Sequence, residues 1–351
     1  MMQHLRVILL LPLLLVISCT KGSRATEKLV KDIVIIHSYP QGEWYFGIHA
    51  GLEEELKKSG IKYNLHPIVF HAEFWKEKDS SRRLVEKNRI LSSLKAKNPD
   101  LVLLCDDEAS DFMAEDLAKS DVPVIFTGIN RQQKDIPWLK AFSRNQIAGT
   151  LELYKTEDSI RLLKKLRPDV KTFSILTSAN DTSDLVVKQI TDDMRKLKSK
   201  LKVDLRSTYK LKYWSQWKKA IPEINKNNDA VWVLVPYDVR NVNNQELSIE
   251  HIGSYLKQNL KVPSLGIISI STKIGVLAAI PACPHSLGKQ MGEQTSEFFK
   301  GKALGSIGVV AAKYFKEEIN HNQARRLGIV IPKTIAAKAS LVKEAKLLFG
   351  R

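Results

Sequence analysis

Asp100-Leu101-Val102-Leu103-Leu104-Cys105-Asp106-Asp107-Glu108, followed one helix later by Val122-Pro123-Val124-Ile125-Phe126-Thr127-Gly128-Ile129-Asn130, carries the fold of this chain in miniature. Each half is an unbroken run of leucine and β-branched residues that stops abruptly at polar ones. A strand with one face in water alternates apolar and polar residues, whereas a strand covered on both faces reads as a continuous apolar run. The segment 109–119 between the two runs has a helical pattern, and Asn98-Pro99-Asp100 and Ser120-Asp121 supply the breaks. The stretch therefore reads as a β-α-β unit of a parallel sheet with helices on both sides.

The same alternation extends in both directions. Upstream and locally, strands are expected at 33–38, 64–70, 101–105 and 122–127, with helices at 46–58, 82–95 and 109–119. Downstream, strands are expected at 172–177, 203–209, 230–236 and 264–270, with helices at 156–166, 183–198, 214–226 and 249–259. Two consecutive series of this kind predict two doubly wound α/β lobes joined by a hinge. Polar residues near 144–150 mark the expected boundary. A helix at 287–300, an extended piece near 306–314 and a helical tail remain, enough for further crossings between lobes. The expected division is 28–147 with 276–305 for lobe one and 148–275 with 306–351 for lobe two. At 351 residues the chain suits two domains of ordinary size.

The N-terminus reads as an export signal. Arg6 precedes an apolar run from Val7 to Ile17, too short to be a permanent membrane anchor, which ends in Val16-Ile17-Ser18-Cys19. That ending resembles the bacterial lipobox, so residues 1–18 are expected to be removed and Cys19 lipidated, leaving 19–31 as a tether. Cys105 falls inside an apolar strand and Cys283 between prolines, a spacing that makes no metal site. The formal net charge is +17. Basic balance of this size often means nucleic acid. Here the lysines are scattered over helix faces and the export signal points away from that partner, so a solvated basic surface is expected.

Parallel sheets place ligands beyond the carboxyl ends of their strands. In lobe one that rule selects Ser38, Tyr39 and Trp44, then Asp107 and Glu108 beside Asp106, then Asn130. In lobe two it selects Asp181, Ser183, Tyr237 and Asp238. Each has a plainer role open to it. Asp181-Thr182-Ser183 makes a good helix cap, Tyr237-Asp238 suits a turn, and Asn130 suits a cap of the connection that follows. Tyr39 and Trp44 serve equally as packing aromatics, and the acids 106–108 suit the first turn of a helix. His37 and His285 fall near the cleft or hinge without an evident partner. No His-Glu-x-x-His, Gly-x-Ser-x-Gly, Walker A or Gly-x-Gly-x-x-Gly motif occurs, so neither catalytic residue, metal nor cofactor is expected.

Four segments together resemble the ABC-transporter substrate-binding family of periplasmic-binding-protein type I fold. They are Ile36-His37-Ser38-Tyr39 with Trp44 and Gly47-Ile48-His49-Ala50-Gly51-Leu52; the stretch from Asp100 to Asn130; Leu287-Gly288 through Phe299-Lys300-Gly301; and Ile319-Asn320 with Ala324, Leu327-Gly328-Ile329 and Ile331-Pro332. The resemblance runs from about residue 32 to 345. The first two segments are closer to a branch found in extracytoplasmic parts of sensor kinases, from which the chain departs in having Asp107-Glu108 where asparagine and aspartate are usual. What the resemblance implies is an extracytoplasmic, lipid-anchored receptor that captures a small solute between its lobes and hands it to an ABC permease. A sensory module presenting its closed form to a signalling protein is the alternative. An amino acid-like ligand is compatible with Tyr39, Trp44 and Asp238, which suit a ring and an ammonium group.

Overall fold

The computed structural model describes residues 29–70 and 80–342, so the lipobox at Cys19 and the end of the tail lie outside the described residues. In chain order the first elements are β1 (Lys31–His37), α1 (Glu43–Ser59), β2 (Tyr63–Val69), α2 (Ser80–Lys97), β3 (Leu101–Cys105), α3 (Asp106–Ala118), β4 (Val124–Ile129) and β5 (Ile147–Leu151). Next come α4 (Thr156–Leu166), β6 (Thr172–Ser178), α5 (Asp181–Leu201), β7 (Asp204–Leu211), α6 (Trp214–Asn227), β8 (Ala230–Val233), α7 (Ile249–Asn259), β9 (Ser264–Gly266), α8 (Ile270–Lys273) and β10 (Ala278–Ala279). The last are α9 (Pro284–Phe299), α10 (Leu304–Ile307), β11 (Val309–Ala311), β12 (Glu318–Asn320), α11 (His321–Arg326), α12 (Lys333–Ala336) and β13 (Ser340–Val342). Among the described residues no helix is long and apolar enough to cross a membrane.

These strands form two sheets, ordered β2-β1-β3-β4-β5-β11 and β7-β6-β8-β9-β10-β12-β13. Every pairing is parallel except β10 with β12. Both begin in the same doubly wound order, so each has a switch point where the chain reverses direction across the sheet: between β1 and β3, and between β6 and β8. The architecture is α/β with two parallel-dominated lobes, as the continuous apolar runs demand.

The physical basis shows in β1. Ile33 and Ile35 pack with Ile48, Leu52 and Leu56 of α1 and Met291 of α9, while Val34 and Ile36 pack with Ile90 of α2 and Phe112 and Met113 of α3. Successive side chains thus enter two different cores, which is why the run cannot alternate in polarity. On the first of these faces α1 and α9 meet backbone to backbone. A Cβ on Gly51 would lie 2.0 Å from the His285 carbonyl oxygen, and one on Gly288 would lie 2.0 Å from that of Ile48. Gly51 and Gly288 belong to two of the segments that carried the family resemblance, and close helix approach is their reason.

Several expected boundaries move. The strand expected at 122–127 is displaced to Val124–Ile129, and the one expected at 264–270 stops at Gly266 because Ile270 opens α8. The polar stretch near 144–150 is not a break but holds β5, the inner neighbour of β11. The expected division at 276 and 306 also fails at both points: β10 pairs in the second sheet, and β11, beyond 305, pairs in the first. The chain leaves the first sheet after Leu151, returns after Ala279 through α9 to β11, and leaves again before β12. The tail adds β12 and β13 to the second sheet, and among the described residues its helices are short where a helical tail was expected.

Candidate functional site

The carboxyl ends of both sheets open on one cavity of about 590 Å³. From the first switch point come Tyr39 and Trp44, beyond β1, and Asp106, Asp107 and Glu108, beyond β3; Asn130 follows β4. From the second come Asn180, Asp181 and Thr182, beyond β6, and Val235, Tyr237 and Asp238, beyond β8. Eight of the ten expected residues line this space: Tyr39, Trp44, Asp107, Glu108, Asn130, Asp181, Tyr237 and Asp238.

Ser38 and Ser183 do not. Ser38 Oγ donates to the Cys105 carbonyl (2.8 Å) and accepts from the Ala109 N–H (2.8 Å), fastening the end of β1 to the turn into α3. Ser183 is buried against Thr177 Oγ1 at 2.9 Å, and its N–H donates to Asn180 Oδ1. Asn180, not Asp181, is therefore the cap of α5, which leaves the Asp181 carboxylate free of that duty. His37 is a core residue. Its Nε2 lies 2.9 Å from that of His49, its ring lies tilted against Tyr45 with centroids 4.3 Å apart, and burial followed by the charge of His49 lowers its pKa to about 3. His285 pairs with Glu54 at the surface.

The lobe-one wall is a hydrogen-bonded frame. Trp44 Nε1 donates to both oxygens of Asp106 (2.9 and 3.1 Å), and Tyr39 donates to Glu108 (2.9 Å). Asp107 accepts from the backbone and side-chain N–H groups of Asn130 and pairs with Arg131 at 2.9 Å, while Tyr154 donates to Asn130 (2.6 Å). Asp106 holds a left-handed backbone (φ 72°), and so does Asp238 across the cavity (φ 63°). Gly128 makes room for the first, since a Cβ there would lie 2.6 Å from Asp106 Oδ1. Such conformations cost energy and persist where the surroundings impose them. On the lobe-two wall Asn180 donates to Asp238 at 3.0 Å.

The profile of the family described as ABC transporter substrate binding protein matches residues 41–343. The chain belongs to that family. No curated protein matches the sequence. Among solved structures this family member is similar to an ABC domain in complex with L-Trp from Streptococcus pneumonia (TM-score 0.62, 20% identity, covering 89% of this chain and 99% of that one). It is also similar to a substrate-binding protein with adhesive properties from Clostridium difficile, in a ligand-free, open structure (TM-score 0.66, 16%, 90% and 100%). A conserved domain protein from Vibrio cholerae gives a TM-score of 0.63 at 18% identity, covering 89% and 99%. At these identities the likeness is one of fold.

Several lining residues of this substrate-binding protein escaped the sequence reading. Glu152 and Tyr154 follow β5, which lies where the polar residues near 144–150 mark an expected boundary; the signal is the short, mostly apolar stretch Ile147–Leu151 that ends at Glu152. Glu43, Ser269, Ile270 and Pro284 sit at the starts of helices rather than beyond apolar runs. Electrostatically the cavity is acidic. Burial, then the neighbouring carboxylates Asp106 and Asp107 and Cys283, hold Glu152 well above the usual carboxylate range. Asp106 is raised by burial and Glu108, against the opposing pull of the Trp44 N–H. Asp107 is raised by burial, with Arg131 and Asn130 working the other way.

Proposed function

We propose that this chain is a lipid-anchored, extracytoplasmic solute receptor that holds a small ligand between its two lobes and delivers it to an ABC importer, without making or breaking bonds. The observation that carries this is the cavity itself: switch-point residues of two separate sheets converge on one space, and the family to which the chain belongs is that of ABC transporter substrate-binding proteins. The eight expected residues on its walls are the proposed ligand contacts, with Glu152, Tyr154 and Thr182 added.

A ligand gripped from both sides stabilises the conformation in which both sides reach it, by as much as its affinity for that conformation exceeds its affinity for the open one. The three strands of chain between the sheets form the proposed hinge, with the lobes divided where the chain leaves and re-enters each sheet. The solved relative holding L-Trp supports a small organic solute of similar size. A lipid on Cys19 would keep the receptor near its permease, raising the local concentration that transport needs.

Native mass spectrometry of the mature chain, purified without refolding, tests this reading. A small-molecule adduct is expected on the wild type and not on Thr182→Trp, which fills the cavity from its wall. An equal adduct on both proteins places the ligand elsewhere.

A further inference from the structure

The cavity is acidic in a protein that is otherwise strongly basic. Seven of its lining residues are Asp or Glu and, among the described residues, none is Lys, Arg or His, although the chain has a net charge of +17. The acids come from both sides: Glu43, Asp106, Asp107, Glu108 and Glu152 from the first lobe and its exit, Asp181 and Asp238 from the second. From outside the cavity Arg131 pairs with Asp107 and Lys273 with Glu43 at 3.3 Å.

Glu152 makes the acidity mean something. It is 3% exposed, lines the cavity, and its carboxylate takes no hydrogen bond and no ion pair from the described residues. A buried carboxylate is ordinarily paired or hydrogen-bonded, because desolvation otherwise outweighs anything it gains. It stands where the chain first passes between the sheets, with Asp106 nearby, which accepts the indole N–H of Trp44. Resting on the reading of this cavity as the solute site, we propose that the solute is a small organic amine of net positive charge that bears no carboxylate group.

An ammonium brings several N–H donors to a site rich in acceptors. Tyr39 and Tyr237, each roughly two-fifths exposed, offer ring faces that attract a cation, and Val235, Ile268 and Pro284 suit a hydrocarbon skeleton. A bare metal ion fits less well: among the described residues no three His, Cys, Asp or Glu side chains are placed to hold one. A ligand carboxylate would meet seven acidic side chains, with no cationic residue among the described lining to answer it. That sets the expected solute apart from a zwitterionic amino acid, which was the sequence-based expectation. The raised proton affinity of Glu152 and Asp106 fits a site in which an arriving ammonium takes over the charge that a proton otherwise neutralises.

Calorimetric titration with tryptamine, 1,4-diaminobutane and L-tryptophan tests the proposal, since tryptamine and L-tryptophan differ only in the carboxylate. At least one amine is expected to bind, and to bind about tenfold or more tightly than L-tryptophan. In Glu152→Gln, which keeps the shape and removes the charge, amine affinity is expected to fall about thirtyfold or more, with no loss of ligand-free melting temperature. Asp106→Asn provides the same test at the neighbouring acid. L-tryptophan binding as tightly as tryptamine, or amine binding indifferent to both variants, overturns the amine class and leaves the receptor reading in place. Failure of all three probes, with no adduct on the purified protein, removes the amine class and the receptor reading together.

Discussion

His37 closes β1 with its imidazole shut away from water between His49 and Tyr45, and beyond His49 lies Glu53 at 3.8 Å. Its pKa is lowered to about 3, first by burial and then by His49. An unfolded chain takes up a proton there near pH 6.5 while the folded one refuses it, so stability is expected to fall as pH drops from about 6.5 toward 3, each unit between the two values being worth about 1.4 kcal/mol. Urea unfolding across that range checks this, and His37→Asn should lose that part of the acid sensitivity. Glu152 and Asp106 act in the opposite sense. Their folded pKa values are raised, so the ligand-free protein binds more protons folded than unfolded just above the usual carboxylate range, and stability is lost as pH rises through it. Glu152→Gln is expected to raise the melting temperature near neutral pH and to flatten this dependence; an unchanged profile would mean that the buried charge is satisfied after all. Of these residues the sequence showed least about Glu152, because a side chain's burial depends on what packs over it. Asp107, Glu108 and Asp238 were legible because they lie in the polar stretches just beyond apolar runs, while Ser38 and Ser183 satisfied the same rule and turned inward, Ser38 to hold backbone and Ser183 to meet Thr177.

At the level of elements, the contact of α1 with α9 is the most demanding in the first lobe. Gly51→Ala or Gly288→Ala would drive a methyl into opposing main chain, and each is expected to destabilise the protein by about 1–3 kcal/mol or more, measured by urea unfolding. Gly42→Ala serves as the control: its Cβ would meet nothing nearer than the Pro40 carbonyl at 3.9 Å, and it should cost little. Long elements were readable for a simple reason. β1, β3 and β6 are buried along most of their length and their apolar runs are continuous. β10, β11, β12 and β13 have only two or three residues each, too few to show any periodicity, and their places are fixed by partners distant in sequence. That is why the doubly wound core of each sheet was foreseeable and its outer edge was not, and why the expected crossing points were misplaced.

At the scale of the whole molecule, the ion pairs recorded between the lobes across the cavity, among the described residues, are few. Glu43 meets Lys273 and Asp135 meets Lys188 at 3.7 Å, but these pairs are largely exposed and each contributes of order 0–1 kcal/mol. Closure is therefore expected to depend on the ligand. The proposed anchoring is separable from binding: Cys19→Ser is expected to release the protein from the membrane or to stall its processing, leaving ligand affinity unchanged, as cell fractionation and titration of the released form would show. The central claim is that one ligand is gripped by both lobes. Calorimetric titration of the ligand recovered from the native protein into Trp44→Ala and Asp238→Ala, one variant from each wall, tests it most directly. Both variants should stay folded and both should bind more weakly, by about 2–5 kcal/mol for the lost charge and somewhat less for the lost ring. Wild-type affinity in both variants, or a loss confined to one wall, would contradict it.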